Sequence, residues 1–302
     1  MVTRRLLRHP HGTFVMGILN VTPDSFSDGG KWTDVDAAIT RGYRLIKDGA
    51  DIIDIGGEST RPGALPLSAD QEWDRIGAVV RALAQTGTLI SVDTYHADTA
   101  RRAVEAGASI INDVTGGSGD RAMFSTIAAL GCAYILQHTR GTPETMNSLA
   151  SYESVPREVA AELAASIRRA VALGVNRGNI IVDPGFGFAK NSEHNWDLAA
   201  HLHEVQALGQ PVLIGVSRKR FLADVADGSA PEARDDATAA LTTYFAAQGV
   251  WGVRVHEVAA SKAAIRTTAK LREAGAFGDP TGAFEAPVGE TNARGSSAGA
   301  HE

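Results

Sequence analysis

The sequence predicts a single α/β domain built as a (β/α)8 barrel, a TIM barrel, and three observations predict it. Eight short β-rich runs recur along the chain, the residues between them are apolar at helical spacing, and glycines stand where the intervening helices should end. An open doubly wound sheet is the alternative that periodicity leaves standing.

The eight runs are residues 14–19, 51–55, 89–92, 109–111, 133–136, 180–182, 212–214 and 252–255. Several are continuously apolar, as strands buried on both faces of a parallel sheet should be. After the first run, Ala37, Ile39, Tyr43, Leu45 and Ile46 mark a helix face; after the fifth, Val155, Val159, Leu163, Ile167 and Val171 mark another. Gly49, Gly87, Gly107, Gly131 and Gly174 each precede a strand by a few residues, where a helix C-cap glycine belongs. After Gly275 the chain turns to Gly, Ala, Pro, Thr, Ser and Glu without a period. The expected organisation is an extension over residues 1–13, a barrel over 14–275 and a disordered tail over 276–302.

Composition narrows the function classes. The 302 residues are 44% hydrophobic, enough for a full core, and carry 29 Lys+Arg against 35 Asp+Glu, a net charge of -6. An acidic balance without basic runs argues against a nucleic-acid groove. No stretch reaches the roughly 18 apolar residues of a membrane span, and no apolar h-region follows the N-terminal arginines. The single cysteine, Cys132, lies in an apolar run and reads as a buried hydrophobe rather than a nucleophile. A cytoplasmic protein acting on small molecules is expected.

In such a barrel, chemistry gathers at the C-terminal ends of the strands. Polar residues collect there: Asn20 after the first run, Asp54 through Gly63 after the second, then Asp93, Asn112 with Asp113, residues 183–190, Ser217 through Arg220, and Arg254 with His256. Any one of them could merely cap a helix or shape a turn; their convergence on one rim is the signal. Arg254 and His256, two apart on a strand, share a face, and as a cationic pair with Arg61, Lys219 and glycine-rich turns they suit a phosphate or pyrophosphate. Asn20 adds a neutral oxygen for a bridging Mg2+. Asp93, Asn112 and Asp183 suit a heterocycle with an amino-amide edge. Residues 185–190 and Gly56-Gly57 lack the Walker and dinucleotide spacings, and His201 with His203 does not stack as a zinc pair. The four tryptophans read as packing residues, and His138 and Arg140 either face the mouth or dress the loop.

At these residues the chain resembles dihydropteroate synthase, a pterin-binding family. Residues 16–30 and 56–63 look like its first two signatures, and residues 183–190, 217–220 and 254–256 match further blocks in order, over about 14–275. Gln137 and Thr139 stand where some relatives carry methionines. The resemblance implies condensation of 6-hydroxymethyl-7,8-dihydropterin pyrophosphate with 4-aminobenzoate, giving 7,8-dihydropteroate and pyrophosphate. It implies that Asp93, Asn112, Asp183 and Lys219 hold the pterin, with Arg254 over its ring. Asn20, Arg254 and His256, with Thr60 and Arg61, would hold pyrophosphate and Mg2+. Phe26, Pro62, Phe188 and Ser217 would line the aminobenzoate pocket, with Asp28 and Arg61 on closing loops. A homodimer is also implied. Two rivals share the fold: a pterin-dependent methyltransferase barrel, which would not need Thr60-Arg61-Pro62 or Arg218-Lys219-Arg220, and a catalytically silent pterin-binding paralogue, which should have lost parts of the anion site.

Overall fold

The computed structural model describes residues 12–22, 31–58 and 66–277. All eight expected strands form: β1 (Phe14–Asn20), β2 (Ile52–Gly56), β3 (Leu89–Asp93), β4 (Ile110–Asp113), β5 (Ala133–Gln137), β6 (Ile180–Asp183), β7 (Leu213–Ile214) and β8 (Gly252–Val255). They pair in parallel in the order β6-β5-β4-β3-β2-β1-β8-β7. A bridge from Val182 to Val212, with the Val182 N–H donating to the Pro211 carbonyl at 2.9 Å, joins the two ends. The sheet is thus a nearly closed barrel and not an open doubly wound sheet.

Helices α1 (Lys31–Lys47), α2 (Ala69–Ala84), α3 (Ala97–Glu105), α4 (Met123–Leu130), α5 (Val155–Ala172), α6 (Ser192–Ala200), α7 (His203–Gln206), α8 (Asp235–Ala247) and α9 (Val258–Glu273) surround it. Their starts and stops follow local chemistry. Ser68 and Gln71 form a capping box at α2, Asn191 caps α6, and Gly131 ends α4 in the left-handed conformation.

Strand periodicity sorts the side chains into two cores. Val15, Ile53, Ile55, Val92, Ile111, Leu136, Val182 and Val253 face outward onto the helices. Phe14, Met16, Ile52, Ile110, Ala133, Ile135, Ile181, Leu213 and Trp251 fill the barrel interior. Continuing inward positions by twos leads from Ile52 to Asp54, from Ile110 to Asn112, from Ile181 to Asp183 and from Gly252 to Arg254. Strands β3, β4, β5 and β6 run one or two residues beyond their sequence-predicted ends, so Asp93, Asn112, Gln137 and Asp183 sit inside the ladder. Backbone pairing does not depend on side-chain polarity, whereas a hydropathy pattern stops at the first polar residue.

Packing roles read from sequence hold for Cys132, buried with its thiol pushed up to about 11 by burial. They hold also for Trp251 against Phe14 and for Trp196 against Phe221. His201 lies beyond the end of α6 and turns to Asp197 at 2.8 Å.

Candidate active site

Toward the C-terminal ends of the strands the interior changes from apolar to polar. Arg254 on β8 reaches across the barrel, donating from Nε to Asp54 Oδ2 at 2.6 Å and from Nη2 to Asp93 Oδ2 at 2.7 Å. Asn112 on β4 donates from Nδ2 to the same Asp54 oxygen at 3.1 Å. Asp54 Oδ2 thus takes the NH2 side of the amide, which turns Asn112 Oδ1 the other way. Asn112 Oδ1, Asp54 Oδ1 and Ser91 Oγ are buried without a protein partner. Buried polar atoms are rarely left unpaired, and three of them along one interior face mark a place where another molecule completes the bonding.

Around that face the charges are poised. Burial pushes the Asp93 carboxyl up to about 7, against the pull of Arg254 and aided by Asp54. Burial also raises Asp183, whose Oδ1 accepts from the Gly185 N–H at 2.7 Å. Lys219 is pushed down to about 8 by burial and by Arg254, with Asp183 and Asp93 holding it up. Its ammonium lies 4.2 Å from the centre of the Phe188 ring. Gly187, at φ +75°, passes so near that a Cβ there would come 3.0 Å from Lys219 Cδ, so a glycine is required for this contact.

The rim differs from the expected cationic pair. Burial, then Arg254, pushes His256 down to about 3, so its imidazole is neutral. Its backbone N–H donates to Ser217 Oγ at 3.1 Å, and the Ser217 hydroxyl lies 3.0 Å from His256 Nδ1. The Ser217 hydroxyl thus holds both the backbone and the ring of His256. His256 is therefore neutral, and among the described residues the cationic charge at the mouth belongs to Arg254 and Lys219. Arg218 turns away, paired with Asp235 and Glu232.

Asn20 ends β1 with its side chain exposed. Asp113 faces outward, accepting from Thr115, Gly117 and the Tyr134 hydroxyl, and shapes a loop. His138 and Arg140 also leave the mouth, both meeting Glu162 on α5. Gln137 donates to the Val114 carbonyl at 3.3 Å. Phe26, Asp28, Thr60, Arg61 and Pro62 lie outside the described residues. The second loop's flanks are fixed: Glu58 accepts from the Leu67 N–H at 3.3 Å, from Tyr95 and from His96.

The residue that sequence reading left without a role is Asp54. A carboxylate between Ile53 and Ile55, on the inward register of β2, carried the signal, but its partners lie 58 and 200 residues away.

A closed parallel barrel whose mouth pairs a buried acceptor edge with a two-cation wall defines a barrel enzyme for an anionic, heterocyclic substrate. The model of the pterin binding enzyme family matches residues 16–256. Dihydropteroate synthase of Mycobacterium leprae is 46% identical over 267 residues, covering 86% of this chain and 94% of that protein. The structure of Xanthomonas albilineans dihydropteroate synthase with 4-aminobenzoic acid is 40% identical, with a TM-score of 0.81 over 86% of this chain and 93% of the other. The same enzyme in complex with 7,8-dihydropteroate gives 37% identity and a TM-score of 0.78, over 86% and 94%. The chain belongs to the pterin-binding enzyme family, among the dihydropteroate synthases, which are transferases.

Proposed function

We propose that this mouth condenses 6-hydroxymethyl-7,8-dihydropterin pyrophosphate with 4-aminobenzoate. The observation that carries the reading is the buried Asn112 Oδ1 without a protein partner, on the same interior face as Asp183 two strands away, together an acceptor edge for the amino and ring N–H donors of a pterin. Lys219 closes that edge with a donor, and Arg254, held flat by Asp54 and Asp93, packs over the ring. Phe188 and Ser217, with Phe26 and Pro62 from the loops, line the aminobenzoate pocket.

The C–O bond between the pterin methylene and pyrophosphate breaks, the electron pair leaving with pyrophosphate. The aniline nitrogen then forms the new C–N bond and releases its proton to solvent. Arg254, His256, Thr60 and Arg61 receive the growing phosphate charge. Asp93 as carboxylate faces the positive charge left at the methylene. The aniline is nucleophilic when neutral, so no strong general base is needed. Asp28 and Arg61 belong to loops that close over both substrates.

Among the described residues no three His, Cys, Asp or Glu side chains group to hold a metal. A single amide oxygen on Asn20 fits Mg2+ shared with substrate phosphates and water, not an all-protein cage. When bound there, the ion would neutralise charge on the leaving pyrophosphate. In the same reading the enzyme is a cytoplasmic homodimer, its assembly checked by sedimentation of the purified protein. No helix among the described residues is long and apolar enough to cross a membrane.

The test supplies Mg2+, dihydropterin pyrophosphate and 4-aminobenzoate and follows dihydropteroate and pyrophosphate separately. Both products, lost in a folded Asp93→Ala variant, are expected. Pterin binding with neither product would instead identify a silent paralogue.

A further inference from the structure

Lys190 is a buried cation with no part in the reaction above. It closes the segment that leaves β6, with Asp183 at its start and Phe188 near its end. That segment holds three left-handed residues: Gly185 at φ +70°, Gly187 at +75°, and Ala189, which has a Cβ, at +48°. An L-residue is sterically disfavoured there and persists only where its surroundings enforce it. Gly185 is also pressed against the neighbouring loop, since a Cβ on it would lie 2.0 Å from the His138 carbonyl oxygen.

The Asp183 and Asn195 side chains each accept one N–H of this turn, from Gly185 and Gly187, and Lys190 bonds two of its carbonyls. Lys190 is 7% exposed and folds back under the turn. Its Nζ donates to the Gly185 carbonyl at 3.0 Å and to the Phe188 carbonyl at 3.1 Å, and lies 3.0 Å from His138 Nδ1. Burial pulls the Lys190 amine down to about 7, with Asp183 and Glu162 holding it up; in its ammonium form it has three donors and no acceptor, and three acceptors surround it. His138 Nδ1 is then bare, and its proton sits on Nε2, 3.0 Å from Glu162 Oε2. Burial, with Lys190 beside it, pushes His138 down to about 4, which keeps the imidazole neutral as this arrangement needs. Glu162 is gripped in turn by Arg140, which also donates to the Ser151 carbonyl and to Glu158. Donors therefore run in one direction from Lys190 through His138 to a carboxylate anchored on α5. At the other end of the turn the Tyr152 hydroxyl donates to the Ala189 carbonyl at 2.9 Å.

We propose that Lys190 is a positioning residue for the second substrate: its three hydrogen bonds lock the 185–189 turn so that the Phe188 ring stays packed against Lys219 at the aminobenzoate end of the mouth. The pterin end depends on this lock less, because the Asp183 backbone is held by its strand ladder to Gln137 and its side chain meets the turn through one hydrogen bond, from the Gly185 N–H. The inference rests on Phe188 lining the aminobenzoate pocket.

Lys190→Met removes the donors and keeps the apolar stem. In steady-state kinetics the KM for 4-aminobenzoate is expected to rise at least tenfold, while saturated kcat and the calorimetric Kd for dihydropterin pyrophosphate each stay within threefold. Glu162→Gln keeps an acceptor but removes the anchoring charge, and lies at the edge of α5 with 40% side-chain exposure. It should raise the same KM by a smaller factor, and it carries the test if Lys190→Met does not fold. A folded variant in which KM and pterin Kd move together, or neither moves, overturns the proposal. Wild-type enzyme run alongside separates the two levels, since wild type without product refutes the synthase reading itself.

Discussion

The two ends of the barrel interior are lined by the same strands on the same register, yet they do opposite things. At the N-terminal end Phe14, Ile52, Ile110, Leu213 and Trp251 pack as an apolar plug. Two residues above Ile52, Ile110 and Gly252 on the same strands stand Asp54, Asn112 and Arg254, with Asp93, Ser91 and Asp183 on the same interior face. The plug contributes stability through burial and close packing. The polar end holds three buried atoms without a protein partner, Asn112 Oδ1, Asp54 Oδ1 and Ser91 Oγ. A single fold thus separates the part that stabilises it from the part that binds, by no more than one pleat of each strand. The plug has one unpaired atom of its own, Trp251 Nε1, which gives the contrast a control.

Substitutions at the two ends should break or sharpen this contrast. The largest effect is expected from Lys219→Ala, which removes a donor and a charge from the mouth. Its kcat/KM should fall roughly 10^2–10^3-fold, as for loss of one charge-stabilising donor, with the calorimetric melting temperature unchanged or raised. A matching fall in melting temperature would erase the distinction between the two ends. Ile52→Ala, two residues below Asp54, should do the reverse. Loss of a fully buried isoleucine costs about 2–5 kcal/mol, or roughly 5–15 °C in melting temperature, with the substrate constants of the folded enzyme unaltered.

Acid should act through the wall behind the mouth. His138, with an ordinary value of 6.5, is held down to about 4 by burial and by Lys190. Its folded value is the lower one, so the stability it contributes is present above pH 6.5 and is lost as pH falls toward 4. Glu162, pulled to about 2 against burial by His138 and Arg140, extends the loss to lower pH. The melting temperature should fall steadily from pH 6.5 to 4 in wild type and more shallowly in His138→Gln. The smallest effect belongs to Trp251→Phe: its N–H has no partner to lose, so stability should change by about 1 kcal/mol or less and kinetics not at all. A large rise in pterin KM there would mean that the plug also serves binding.

Much of this was legible before any coordinates. Residues two apart on a strand share a face, which sets Arg254 with His256, and the strand ends place Asp54 and Asn112 on the same rim. Asp93, Asp183, Ser217 and Lys219 follow from their place at strand ends. The role of Asp54 was not legible, because its meaning lies in two partners from β4 and β8. Nor was the neutrality of His256, which the sequence presents as one half of a cationic pair; it comes from burial beside Arg254.

The sequence by itself determined the eight strand-helix units and the rim on which polar groups collect, because hydropathy, capping and turn chemistry act within a few residues. Tertiary structure alone decided which charges meet. Closing the sheet sets β8 beside β1, so Arg254 reaches Asp54 and Asp93, 200 and 161 residues earlier. Packing of α5 against the β5 end draws His138 and Arg140 away from the mouth and onto Glu162. Pairings at that range, and the desolvation that sets their protonation, are properties of the closed barrel and of no segment within it.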